Sequence, residues 1–122
     1  MLEVSVVKQV SAIAMLLLAL LPLSATGHAH LEQASPADGS VLTRAPPDFR
    51  LQLSEPARLT ALSLQKDDEL PHKIGGLPSA ASAQWVIPAP TLAPGRYTLS
   101  YRLLSQDSHI MSGSITFRIR GP

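Results

Sequence analysis

The chain has 122 residues, enough for one ordinary domain, and ten Lys and Arg against nine Asp and Glu leave a formal charge of +1. The absence of cysteine excludes a disulfide scaffold, thiolate metal sites, iron–sulfur clusters and a cysteine nucleophile, so a metal would need N and O donors, with Met as the only sulfur. The basic residues are scattered, which argues against nucleic acid as a partner, and eleven prolines with few aromatics suit short strands separated by turns.

Residues 1–27 have the layout of a secretory signal peptide: Lys8, an apolar run over 12–23 broken by Pro22, then the small residues of Ala25-Thr26-Gly27. The apolar run falls short of the roughly 20 residues that span a bilayer, so a cleaved helical leader is preferred to a membrane anchor. Cleavage after Gly27 makes residues 28–122 the mature domain and His28 its first residue. Cleavage after Ala29 also satisfies the small-residue rule and would expose His30. Either cut leaves an N-terminal histidine, whose α-amine and ring Nδ1 can chelate one metal ion together.

From His30 to Ser35 the chain reads as an extended piece, with Leu31 and Gln33 on one face and His30, Glu32 and Ala34 on the other. Pro36-Ala37-Asp38-Gly39-Ser40 makes a turn, and Val41-Leu42 a brief strand before Pro46-Pro47. Residues 48–54 alternate, apolar at Phe49, Leu51 and Leu53, and predict a half-buried strand. Glu55-Pro56-Ala57 reads as a break. A second strand follows over 58–66, with Leu62 and Leu64 on one face and Leu59, Ala61 and Ser63 on the other. Asp67-Asp68-Glu69 lacks the spaced ligands and glycine of a calcium loop and reads as a solvated turn.

Residues 71–83, rich in Gly, Pro, Ser and Ala, read as a loop with His72 on the surface. Gln84-Trp85-Val86-Ile87-Pro88 is the next strand, with Trp85 at the centre of the core. Pro94-Gly95 leads into a strand over 96–105 with Tyr97, Leu99, Tyr101 and Leu103 on one face. The last strand, over 112–120, turns Ile115, Phe117 and Ile119 inward. About seven short strands and no amphipathic helix predict a small all-β domain, an antiparallel sandwich or a Greek-key barrel.

Asp107-Ser108-His109 falls in the connection between the last two strands, and in an extended segment its carboxylate and imidazole would share a face. With the chelate of His28 they make three nitrogens and one oxygen, a tetragonal set suited to Cu(II). Zn(II) could use similar donors in a tetrahedron, but copper binds such sites more tightly. The same two residues also read as a turn aspartate and a surface histidine.

These motifs resemble, in order, the CopC family of periplasmic copper-binding proteins. They are His28-Ala29-His30-Leu31 after a leader, Ser35-Pro36-Ala37-Asp38-Gly39, Leu51-Gln52-Leu53-Ser54-Glu55-Pro56, Leu92-Ala93-Pro94-Gly95-Arg96-Tyr97, and Ser105-Gln106-Asp107-Ser108-His109 followed by Ser112-Gly113-Ser114 and Phe117. The resemblance covers nearly the whole mature chain. It implies a small Greek-key β-barrel, cupredoxin-like or immunoglobulin-like, that holds Cu(II) through the terminal histidine and the Asp and His of a D-x-H motif. Carried over, these are His28, Asp107 and His109, with His30 beside the site as an additional ligand or a supporting group. Some members also bind Cu(I) in a methionine-rich loop. After the leader this chain keeps only Met111, so one Cu(II) per mature chain and no such Cu(I) site are expected. Ile110-Met111 also departs from the proline and small aliphatic residue common in relatives.

The resulting expectation is a monomeric, non-enzymatic Cu(II)-binding protein of the periplasm, serving copper resistance, buffering or delivery to an inner-membrane importer of the CopD type. The mature chain is not expected to stay in the membrane. Two other classes compete. A copper-dependent oxidative enzyme could use the same N-terminal chelate but would need a broad substrate face, and the single Trp and two Tyr all lie in strands that read as core. A metal-free sandwich module for protein contacts is the third.

Overall fold

Burying the apolar side of an alternating segment removes that side from water, and each such segment forms a strand. The computed structural model describes residues 29–121, all-β with seven strands and no helix among them. They are β1 (Leu31–Ser35), β2 (Ser40–Leu42), β3 (Asp48–Lys66), β4 (His72–Lys73), β5 (Ser82–Pro88), β6 (Gly95–Ser105) and β7 (Ile110–Ile119). The expected all-β domain of about seven strands, sandwich or barrel, forms as one curled seven-stranded sheet, whereas the expected leader helix and His28 lie outside the described residues.

β3 organises the sheet. The break expected at Glu55-Pro56-Ala57 is absent as a break, because the strand runs through it and changes partners there. Its first half pairs with β1 and with β5, through registers such as Leu51↔Ala34 and Leu51↔Trp85. Its second half pairs with β6 from Ala57↔Ser105 to Lys66↔Tyr97, and β7 follows β6. Pro56 has no N–H to give a ladder, so it is tolerated where one set of pairings ends and another begins. The sheet curls so that its two halves face each other: the rings of Phe49 in β3 and Phe117 in β7, strands that do not pair, lie 6.1 Å apart.

Three details differ from the sequence reading. A register shift between Leu59 and Ala61 sets Thr60 outside the ladder, and this bulge turns Leu59 to the same buried side as Leu62 and Leu64. The Thr60 hydroxyl donates to the Arg102 carbonyl at 3.2 Å. A second shift, between Leu31 and Gln33, lets Leu31 and Ala34 both pack on the core while Gln33 is exposed. The third is β2, which pairs with β7 in parallel (Val41↔Arg118), not antiparallel. β4, two residues long, and the start of β5 also take up part of the expected 71–83 loop.

The core holds Phe49, Leu51, Leu53, Leu59, Leu62, Leu64, Trp85, Leu99, Leu103, Ile115 and Phe117, with Tyr97 stacked on Phe117 at 5.4 Å. Trp85 is buried, as its place in the sequence implies. Ala29 belongs to the same core and is fully buried, which anchors the chain immediately before β1.

Candidate metal centre

β6 and β7 form a hairpin whose ladder runs to Leu104↔Ile110, and the connection beyond it carries Asp107 and His109. The segment is a turn and not the extended stretch that residue spacing suggests, for Ser108 has φ +68° in the left-handed region. The two side chains nevertheless meet: His109 Nδ1 lies 2.8 Å from Asp107 Oδ2. Ser105, at the end of β6, makes this possible. Its hydroxyl donates to Asp107 Oδ1 and accepts from the His109 N–H at 3.2 Å. Its backbone N–H and C=O bond His109 O and the Ser108 N–H at 2.9 and 3.0 Å.

The Ser105 hydroxyl, followed by the His109 ring, holds the Asp107 carboxyl well below the usual carboxylate range. Asp107 is therefore ionised at neutral pH and only accepts hydrogen bonds. His109 Nδ1 donates to it when that nitrogen carries the ring proton. The His109 side chain is 61% and the Asp107 side chain 44% exposed. The pair brings a carboxylate oxygen and an imidazole nitrogen side by side, the two donor types a divalent ion takes from such residues.

His30 is tied to β3 from the other side. Its N–H bonds Ser54 Oγ at 3.0 Å, and its carbonyl accepts from the Ser54 N–H at 2.9 Å. Ser54 stands three residues before Ala57, whose partner in β6 is Ser105. The start of the described chain and the Asp107–His109 turn thus converge on one stretch of β3, and His30 shares a surface groove with Met111. His28, two residues before His30, lies outside the described residues. Among the described residues no three His, Asp or Glu side chains gather into a cluster that could hold a metal by themselves. The described part of the candidate centre therefore contributes Asp107 and His109. These hard and borderline N and O donors suit a divalent ion such as Cu(II).

His72 is exposed on β4, opposite Leu64. Ser105 is the residue that sequence reasoning missed. The signal was present, since the inward face of β6 reads Tyr97, Leu99, Tyr101, Leu103 and then a hydroxyl.

Fold and turn define a small β-sandwich that presents a prearranged Asp–His pair on a hairpin. The sequence matches the CopC domain over residues 31–120, and the chain belongs to the CopC family. It is 31% identical over 117 residues to Protein YobA of Escherichia coli, covering 89% of this chain and 92% of that one. It is 30% identical over 107 residues to Copper resistance protein C of Xanthomonas campestris pv. juglandis, covering 80% and 84%. In structure it is similar to CopC from Methylosinus trichosporium OB3b, with a TM-score of 0.62 at 23% identity, covering 75% of this chain and 93% of that one. PcoC, a methionine-rich copper resistance protein from Escherichia coli, gives 0.51 at 27% identity, covering 77% and 100%.

Proposed function

We propose that this protein binds one Cu(II) in the periplasm for copper resistance or buffering, without catalysing a reaction. The observation that carries the reading is the Asp107–His109 pair, whose carboxylate and imidazole lie 2.8 Å apart on one exposed turn. Copper is the cargo. Its donors are the His109 ring, the Asp107 carboxylate, and the amine and ring of His28 once the leader is cut after Gly27. His30 is fastened to Ser54, three residues before the β3 partner of Ser105. The names of the relatives agree, as one is a copper resistance protein and a structural neighbour is another. With Met111 the sole methionine after the leader, the site favours Cu(II), and a methionine-rich Cu(I) site is not part of the proposal. A monomer that passes copper to a CopD-type inner-membrane protein completes the reading.

The test compares chains that begin at His28 and at a glycine added before it, after mass spectrometry of the secreted protein has located the natural terminus. Tight one-to-one Cu(II) binding by the first and much weaker binding by the second is the expected result. Equal binding by both would remove the amine from the site, and no tight binding by either would remove copper from the function.

A further inference from the structure

Ser105 occupies the inward position after Leu103 on β6 and is only 7% exposed. A buried hydroxyl at the end of an apolar face costs free energy unless its hydrogen bonds are made. Here they are made entirely within the Asp107–His109 turn: to Asp107 Oδ1, to the His109 N–H at 3.2 Å, and within 3.1 Å of the His109 carbonyl. A serine hydroxyl has one proton and two lone pairs, so donation to Asp107 and acceptance from His109 can operate together. One buried atom thus holds both ends of the Asp-x-His segment, and the left-handed Ser108 lies between them.

We propose that the Ser105 hydroxyl is a positioning group for the metal centre, which holds both ends of the Asp107–His109 turn and so keeps the carboxylate and the imidazole side by side before the ion arrives. The inference rests on the copper-binding reading above. Its physical content is preorganisation: a turn ordered during folding need not be ordered again on binding, so the ordering cost does not weaken the complex. Removing a group that orients a metal ligand typically lowers metal affinity by about 10- to 100-fold.

The experiment uses the mature chain beginning at His28, as wild type and as Ser105→Ala, Ser105→Thr and Ser105→Val. Thr and Val have the same shape and differ in the hydroxyl, so any packing defect at position 105 is shared by both and cancels in their comparison. Cu(II) affinity is measured by competition titration, the copper environment by electron paramagnetic resonance, and the order of the 105–109 turn in the metal-free protein by backbone nitrogen-15 NMR relaxation. The expected result is that Ala and Val lose about 10- to 100-fold in affinity, change the copper hyperfine splitting and loosen the turn, while Thr stays close to wild type. If wild type binds Cu(II) and all variants match it in affinity, spectrum and turn order, the role of Ser105 is overturned while the copper reading stands. If wild type itself binds no Cu(II), the copper reading is overturned and the positioning role with it.

Discussion

Asp107 Oδ2 and His109 Nδ1 lie 2.8 Å apart across a serine whose backbone is left-handed. The pair is therefore the product of a tight turn closed by Ser105.

His109→Ala is expected to weaken Cu(II) binding by more than the roughly 10- to 100-fold typical of losing a supporting group, because it removes a proposed ligand itself. His72→Ala should leave it unchanged. His72 pairs with Leu64, seven residues along β3 from Ala57, or roughly 23 Å at the usual strand rise. Competition titration of both variants checks the assignment, and equal losses would refute it.

Acid should weaken the metal-free fold partly through Asp107. Its folded pKa is lowered, first by Ser105 and then by His109. The stabilisation is thus fully present above the unfolded carboxyl value near ~3.9 and is lost as pH falls through the lower folded value. Urea unfolding of wild type and Asp107→Asn should show wild type the more stable at pH 6–7, with the gap closing in strong acid. A gap that widens on acidification would contradict this.

Gly113→Ala should destabilise the fold. Gly113 faces Tyr101 across the β6–β7 ladder, and a Cβ there would come within 2.5 Å of Tyr101 Cζ and 3.1 Å of Cε1. Overpacking of this kind costs about 1–3 kcal/mol. Thermal unfolding measures it, and adding Tyr101→Ala to Gly113→Ala should cost less than the sum of the two single changes, since the clash is then gone.

Phe117→Ala should cost about 3–5 kcal/mol, as expected for a fully buried phenylalanine. Phe117 is 1% exposed and touches both Phe49 and Tyr97, so its loss opens a cavity where the two halves of the sheet meet. Denaturant unfolding reads the loss directly. Copper affinity of the molecules that remain folded should not change, because Asp107 and His109 lie on the hairpin beyond Ser105 and Phe117 touches neither.

Alternation such as Phe49-Leu51-Leu53, Tyr97-Leu99-Tyr101-Leu103 and Ile115-Phe117-Ile119 determined by itself that the chain would make an all-β core, since burial of a period-two apolar face depends little on which strand covers it. The motifs around His28, Asp107 and His109 likewise marked the candidate site. What only the tertiary structure decided were matters of register and contact. The bulge that brings Leu59 inward, the parallel seat of β2 on β7 and the passage of β3 through Pro56 all depend on partner strands distant in sequence. The same holds for the turn. Two residues apart in sequence said that Asp107 and His109 could meet, but a buried hydroxyl at Ser105, satisfied only by that turn, is what holds them together.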